Sequence, residues 1–204
     1  IDHIPANNYS WVNENVDTKY PDIAATLKKG LSFDPENVTP NYTRTASDKK
    51  SRSKHQAEIV TPIRLVKEMV EHIDKEMSAT YGSWKNYARS TVIEPACGET
   101  PFITTRYDTE TGKVLPISER VGVLDRKLKR VSEGARDQKD WARWAMEAVN
   151  SVFGFDLDGG NVLIARTNIV DTYADSLMNR WGRFPTNEEL NELAEIVSHN
   201  YWQD

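Results

Sequence analysis

Apolar residues recur at three- and four-residue spacings in several stretches of the chain, which is the pattern of amphipathic helices. The clearest stripe covers 63–77, and the Thr61-Pro62 pair before it suits the N-cap and the first position of a helix. Near the end of the chain, Thr186 and Glu189 form the capping-box pattern of another helix start. The helices predicted from these patterns cover 22–29, 63–77, 141–152, 161–181 and 186–197.

Two shorter stretches have the composition of β-strands, 91–93 and the "VFGFDLD" of 152–158. Because they alternate with predicted helices, they indicate a parallel sheet joined by right-handed crossovers. Both end in acids: Glu94 follows the first, and Asp156 and Asp158 close the second. Ligands of open parallel sheets bind outside the carboxyl ends of the strands, so we expect these acids at a ligand site.

The type of ligand follows from the residues around these acids. A carboxylate after the second strand can accept hydrogen bonds from both hydroxyls of a ribose, and the small residues after Glu94 let a ligand approach the backbone. The first turn lacks G-x-G-x-x-G, and the chain contains no G-x-x-x-x-G-K-[ST]. A dinucleotide or a nucleoside triphosphate is therefore disfavoured, and a nucleoside without a pyrophosphate points to S-adenosyl-L-methionine.

Long polar stretches separate the predicted elements. Residues 42–54 contain almost no apolar side chain and are interpreted as a linker or an exposed loop. Helical residues are expected to resume near Pro101, and 104–140 is interpreted as an insertion with at most one strand, around the apolar patch 121–124. The resulting units are an N-terminal segment and linker, 1–54, and a domain, 55–204, which we expect to continue beyond 204.

Composition and charge are those of a folded, soluble protein. The 204 residues are 38% hydrophobic and 28% charged, with a net charge of −5. No apolar run approaches the ~20 residues that a membrane span needs. The single cysteine, Cys97, cannot form an internal disulfide, so a cytoplasmic location is expected. Neither a nearby histidine base nor metal-ligand spacing is present, so we expect neither covalent catalysis nor a metal site.

Basic residues are concentrated in two clusters. In a mildly acidic protein such clusters can be local phosphate-binding surfaces or solvated faces, and both interpretations stay open. The first cluster, within "DKKSRSK", is Lys49, Lys50, Arg52 and Lys54; the second, within "DRKLKR", is Arg126, Lys127, Lys129 and Arg130.

The stretch "VIEPACGETPF" resembles motif I of the amino-group DNA methyltransferases, the adenine-N6 class, whose usual form is (D/E)-P-A-C-G-x-G-x-F. Upstream, "HQAEIVTPIRLVKEMV" (55–70) is similar to their motif X, and "VFGFDLDGGNVLIARTN" (152–168) to their motif II. The order X, I, II is that of a group within the family, and the resemblance covers about residues 55–170. The matching positions in motif I are Glu94, Pro95, Ala96, Cys97, Gly98 and Phe102.

The resemblance implies a partial Rossmann-like class I methyltransferase fold, an α/β fold whose parallel sheet is flanked by helices, with a helical or irregular N-terminal segment. It implies an S-adenosyl-L-methionine site in which Thr61 and Pro62 lie at the methionine carboxylate, 94–98 line the methionine and backbone side, and Asp156 binds the ribose. Transfer to a flipped base would need no metal. Double-stranded DNA is the implied partner, contacted by Arg126, Lys127, Lys129 and Arg130, together with a restriction or specificity subunit or domain.

The chain departs from the family pattern in three ways. Motifs I and II are separated by an unusually long stretch, 104–151, which suggests a family-specific insertion. Thr100 stands where the family has a second glycine, so its side chain either crowds the cofactor or belongs to a wider turn. The catalytic (N/D/S)-P-P-(Y/F/W) motif is missing, because the chain contains no Pro-Pro; the nearest phrases, at 34–37 and 199–202, do not fit. We expect that motif beyond Asp204, and we expect the chain to be inactive by itself.

Several alternatives remain open. A domain that no longer methylates and serves DNA binding or assembly is the second interpretation, and a methyltransferase acting on RNA or protein is the third. The acid of "RVGVLD", Asp125, competes with Asp156 for the ribose role. A PD…(D/E)-x-K nuclease pattern is also mimicked by Asp22, Asp48 and Lys50, although no apolar strand surrounds Asp48.

Overall fold

The computed structural model describes residues 20–56 and 60–204. Positions 1–19 of the N-terminal segment and 57–59 of the motif X stretch lie outside this part. Eight α-helices and three strands are present among the described residues. The helices are α1 Pro21–Lys28, α2 Ala46–Gln56, α3 Ile63–Tyr81, α4 Trp84–Ala88, α5 Val123–Gly134, α6 Gln138–Asn150, α7 Gly159–Trp181 and α8 Asn187–Asn200; the strands are β1 Val92–Pro95, β2 Val152–Asp156 and β3 Tyr201–Gln203.

The three strands form a small parallel sheet in the order β1-β2-β3, flanked by helices. This confirms the predicted α/β class and the predicted parallel pairing, and it is compatible with a Rossmann-like fold. Helices α5 and α6 connect β1 to β2, and α7 and α8 connect β2 to β3. Because successive right-handed crossovers in one direction fall on the same side, these connections cover one face of the sheet.

Side-chain exposure alternates along the strands in agreement with this arrangement. Glu94, Gly154 and Tyr201, which are neighbours in the register, are buried under the helices. On the opposite face, Ile93 is 58% exposed, and Trp202, 38% exposed, stacks on Phe155 at 5.6 Å between ring centroids. The sheet therefore has one well-covered face and one apolar face that is largely open among the described residues.

Helix α7 is the centre of the core, because residues on every side of it are buried as far as Leu177. Its Arg166 is 1% exposed and donates to the carbonyls of Leu27, Lys29, Ser198 and Tyr201 at 2.5–3.1 Å. Burial lowers the pKa of this guanidinium to about 10. The carbonyls belong to the C-terminal ends of α1 and α8, whose dipoles are negative there, so this arginine joins both helices to α7.

The prediction of a linker at 42–54 was wrong, because α2 occupies most of it. The helix is polar all round, so it has no apolar stripe from which periodicity could reveal it. Its first turn is held locally, where Thr45 donates to Asp48, and its middle is fixed by an ion pair between Arg52 and Asp158 at 2.7 Å.

The expectation of a strand around 121–124 was also wrong, because these residues lead into α5. Leu124, Leu128 and Val131 of α5 are buried at a four- and three-residue spacing and pack in the same core as the rest of the chain. Within 104–122 the described structure has a single antiparallel bridge between Tyr107 and Val114 and a short 3-10 turn.

Four smaller differences concern the ends and number of the elements. Helix α3 begins at Ile63, one residue later than predicted, with Pro62 at the N-cap and no side-chain cap from Thr61. Near Pro101 there is a single turn instead of a helix. Helix α4 and strand β3 were not predicted, because each is too short to show a period. The capping box at the start of α8 is confirmed.

Candidate functional site

A cavity of about 660 Å³ lies at the carboxyl ends of the strands. It is lined from the sheet side by Ala96 and Gly98 after β1, by 155–161 around the end of β2, and by Gln203 and Asp204 at the end of β3. This is the edge at which parallel sheets bind ligands, so the cavity is the candidate functional site.

The turn after β1 is strained. Ala96 and Thr100 adopt positive φ angles of 61° and 59°, which residues other than glycine rarely adopt. Gly98, between them in the chain, has a φ angle of 52°. The backbone N–H of Cys97 donates to the Phe155 carbonyl at 2.8 Å, so the turn is anchored to β2. Strained backbone of this kind concentrates at ligand-binding turns.

Asp156 joins the turn after β1 to the turn after β2. Its Oδ2 accepts a hydrogen bond from the Gly98 N–H at 2.9 Å, and its Oδ1 accepts from the Asp158 N–H at 2.9 Å. The same carboxylate lines the cavity. A predicted ribose acid and a predicted motif I glycine are therefore in direct contact, on neighbouring strands.

Glu94 lies beneath the turn and does not line the cavity. Burial raises the pKa of its carboxyl to about 8, although hydrogen bonds from the Thr100 hydroxyl and the Phe102 backbone oppose this rise. Thr100 is fully buried, and its hydroxyl donates to Glu94 at 2.7 Å. The Thr100 side chain was expected either to crowd the cofactor or to belong to a wider turn. It does not enter the cavity and instead supports the turn from below.

Cys97 is 1% exposed. Burial, reinforced by the neighbouring Glu94, raises the pKa of the thiol well above its usual value. A buried thiol with a raised pKa is a poor nucleophile, so its role is to pack the turn. A Cβ added at Gly154 would lie 2.5 Å from the Tyr201 ring and 3.0 Å from the Cys97 Cβ, so this glycine leaves room for both side chains.

Asp158 begins α7 and fixes α2 over the cavity. It caps the helix by accepting from the Asn161 N–H at 3.0 Å and binds Arg52 at 2.7 Å. Burial alone would raise the pKa of Asp158, but the hydrogen bond and the charge of Arg52 outweigh it and lower the pKa. Both acids of "DLD" line the cavity, but Asp158 is engaged by Arg52 and by the start of α7.

The N-terminal segment forms the opposite wall of the cavity. Apart from Arg52, which belongs to the first basic cluster, sequence reasoning missed these residues, because no apolar periodicity or known motif marks them. The lining residues from this segment are Ser32, Phe33, Asp34, Asn37, Val38 and Arg52.

Other residues predicted for the site lie elsewhere. Pro95 is exposed outside the cavity, and Thr61 and Pro62, just before α3, do not line it. Of the predicted cofactor residues, the structure thus brings together Ala96, Gly98 and Asp156, with Glu94 and Cys97 in the layer beneath. The roles expected of Thr61 and Pro62 stay predictions.

The second basic cluster lies on α5 and is largely engaged. Lys127 is fully buried, and its Nζ donates to the Ser151 hydroxyl at 2.6 Å. Arg126 and Arg130 both bind Asp74 of α3 at 3.0 Å. Lys129 is the exposed member of the four. Their predicted contact with DNA stays a prediction, and the structure assigns three of them to holding α5 in place.

The alternative ribose acid, Asp125, is a helix-capping residue. It accepts hydrogen bonds from the N–H groups of Thr105 at 2.8 Å and Gly122 at 2.9 Å, at the start of α5, and it does not line the cavity. Since "RVGVLD" begins a helix, no strand end is available there. The geometry favours Asp156 over Asp125.

The nuclease-like pattern is not assembled in the structure. Asp22 and Asp48 are exposed residues in the first turns of two different helices, α1 and α2. Within 20–56 and 60–204, no three His, Cys, Asp or Glu side chains come close enough together to hold a metal ion.

None of the described helices is both long enough and apolar enough to cross a bilayer. Comparison with protein-family models, with curated proteins and with solved structures finds no match to this chain. Its function therefore has to be argued from the cavity and from the residues around it.

Proposed function

We propose that this chain is the S-adenosyl-L-methionine-binding part of a DNA adenine-N6 methyltransferase with a Rossmann-like class I fold. The observation that carries the proposal is the contact between Gly98 and Asp156 at the mouth of a cavity of about 660 Å³. An "EPACG" turn and an acid on the next parallel strand resemble the two halves of that cofactor site, and here they meet at the correct edge of a sheet.

The cavity suits a nucleoside chemically. The Asp156 carboxylate accepts from the N–H groups of Gly98 and Asp158 and, at 3.4 Å, from the Asn161 side chain; a carboxylate has about four lone-pair sites, so one remains for a ribose hydroxyl. Ala96 and Gly98 expose backbone without bulky side chains, so the methionine part of the cofactor can lie along the turn. When bound, S-adenosyl-L-methionine would supply the methyl group, while the residues of this chain bind and orient it.

DNA as substrate rests on the motif I resemblance. The catalytic (N/D/S)-P-P-(Y/F/W) sequence, which would orient the exocyclic amine, is absent from these 204 residues. We therefore propose cofactor binding, without methyl transfer, for the chain taken alone. A module that binds or assembles without methylating is the second candidate, favoured by that missing motif.

Isothermal titration with S-adenosyl-L-methionine tests the proposal. We expect wild type to bind, and Asp156→Asn and Asp156→Ala to weaken binding at least tenfold because the ribose loses a charged acceptor. Asp125→Asn is the matched control and should bind as wild type does, since that carboxylate caps a distant helix. Thermal unfolding of each variant would show whether it is folded. The absence of heat and of thermal shift at millimolar cofactor would refute the proposal.

A further inference from the structure

The wall formed by the N-terminal segment is a feature that the proposed function does not require. This segment lies directly on the start of α7. The Ser32 N–H donates to Gln203 Oε1 at 2.7 Å, and Gln203 Nε2 donates to the Leu157 carbonyl at 3.0 Å. The segment is thereby tied to the ends of both β2 and β3.

Gly159 makes this close approach possible. A Cβ added at Gly159 would lie 2.4 Å from the Ser32 carbonyl oxygen, whereas one added at Gly160 would meet Val38 Cγ2 only at an ordinary contact distance of 3.5 Å. Gly159 therefore leaves room for the backbone of the N-terminal segment against the start of α7.

Two apolar side chains of the cavity lining lie next to the contacts with β3. Phe33 follows Ser32, which donates to Gln203, and Leu157 accepts from the same Gln203. With the methionine part of the ligand along Ala96 and Gly98 and its ribose on Asp156, the base would extend toward this side. Leu157 is 72% exposed, which leaves an apolar surface for a ligand to cover. Phe33 is half-buried and packs against the core, so its position is fixed in advance.

We propose that Phe33 is the aromatic wall of the base-binding pocket, and that residues 32–38 of the N-terminal segment are part of the ligand site. This inference rests on the proposed function, and it assigns the base end of the cofactor to a part of the chain that the motif I resemblance does not cover. An aromatic ring offers a face on which any purine can stack. The class of ligand that it selects is a purine nucleoside or its 5′-substituted derivative.

Two probes separate this inference from the methyl-donor assignment. S-adenosyl-L-methionine and adenosine are titrated into wild type, Phe33→Ala and Phe33→Trp, with Phe184→Ala as control. Phe184 is 51% exposed and does not line the cavity. We expect Phe33→Ala to weaken both ligands about tenfold or more, Phe33→Trp to retain binding, and Phe184→Ala to bind as wild type does.

The outcomes are distinct. If S-adenosyl-L-methionine binds equally well to wild type and Phe33→Ala, the base wall is wrong while the proposed function stands. Adenosine binding that is weakened by Phe33→Ala supports the base wall. If, in addition, S-adenosyl-L-methionine binds no better than adenosine, the base wall stands and the methyl-donor assignment fails. If neither probe binds wild type, both fail.

A variant at the contact between the wall and α7 gives a second test. Gly159→Ala keeps the Phe33 side chain but should displace the backbone of the wall, since its methyl group would overlap the Ser32 carbonyl. We expect it to weaken both probes at least fivefold, with its circular dichroism spectrum retained. Unchanged binding of both probes by a folded Gly159→Ala protein would overturn the claim that the docked wall forms the site.

Discussion

At the residue scale, the departure from the motif I pattern has a structural explanation. Thr100 stands at a φ of 59°, an angle that a glycine adopts without strain and a threonine adopts at a cost of about 1–3 kcal/mol. Its hydroxyl hydrogen bond to the buried Glu94 opposes that cost. The threonine therefore replaces the glycine by becoming part of the support beneath the turn, and the cavity above it remains open.

Glu94 should make stability depend on pH. In the folded protein the Glu94 carboxyl holds its proton up to a pKa of about 8, whereas in the unfolded chain it releases the proton near its ordinary value of 4.5. The folded state thus binds more protons between these values, and the free energy of unfolding should fall as pH rises, by at most about 1.4 kcal/mol per pH unit. The stabilising contribution of Glu94 is fully present below pH 4.5 and is lost as pH rises through 8.

Glu94→Gln removes this titration and keeps an oxygen for Thr100. Urea unfolding is measured from pH 4.5 to 9. The free energy of unfolding of the variant should increase relative to that of wild type as pH rises. Asp125→Asn is a comparison at another buried carboxyl, whose pKa burial also raises. A pH-independent difference between wild type and Glu94→Gln would mean that Glu94 is ionised throughout.

At the scale of elements, the sequence is informative where burial is one-sided and the element is long. The helices at 63–77, 161–181 and 186–197 and the acid-ended strand at 152–158 were found because their apolar residues follow a period or end at a turn. Helix α2 could not be found, because it is polar all round and its position depends on the ion pair of Arg52 with Asp158. The cavity wall depends on contacts between residues more than a hundred positions apart, which no local pattern encodes.

Helix α5 carries a further pH-dependent group. Burial lowers the pKa of Lys127 to about 7 from 10.5, and its Nζ is held by the Ser90 carbonyl and the Ser151 hydroxyl without a carboxylate. Between pH 7 and 10.5 the unfolded chain binds more protons than the folded one. The free energy of unfolding should therefore rise with pH in that window, by at most about 1.4 kcal/mol per pH unit. The stabilising contribution of the neutral Lys127 amine is lost as pH falls through 7.

Lys127→Met removes the titrating group while keeping the length of the side chain. Chemical denaturation from pH 6.5 to 10.5 should show that the variant lacks the rise seen in wild type. Lys129→Met, two residues along the same helix and exposed, should keep the wild-type pH profile. Parallel profiles for wild type and Lys127→Met would show that the buried ammonium does not titrate in this range.

At the scale of the whole molecule, the sheet has one covered face and one open face, and the cavity lies along its carboxyl edge. The N-terminal segment closes the cavity from one side, and the buried Arg166 fixes α1, which belongs to that segment, to α7 and α8. The cavity is thus lined by two parts of the chain that the sequence-based boundaries at 1–54 and 55–204 place apart. Both parts should respond to one ligand.

An amide NMR titration of the labelled protein with S-adenosyl-L-methionine tests this account most directly. We predict saturable shift changes concentrated at Ala96, Gly98, 155–161 and the wall at 32–38, with none at Lys129 on α5. Amides that do not move at millimolar cofactor, or that move around α5 and not around Gly98 and the wall, would contradict the assignment of this cavity as the cofactor site.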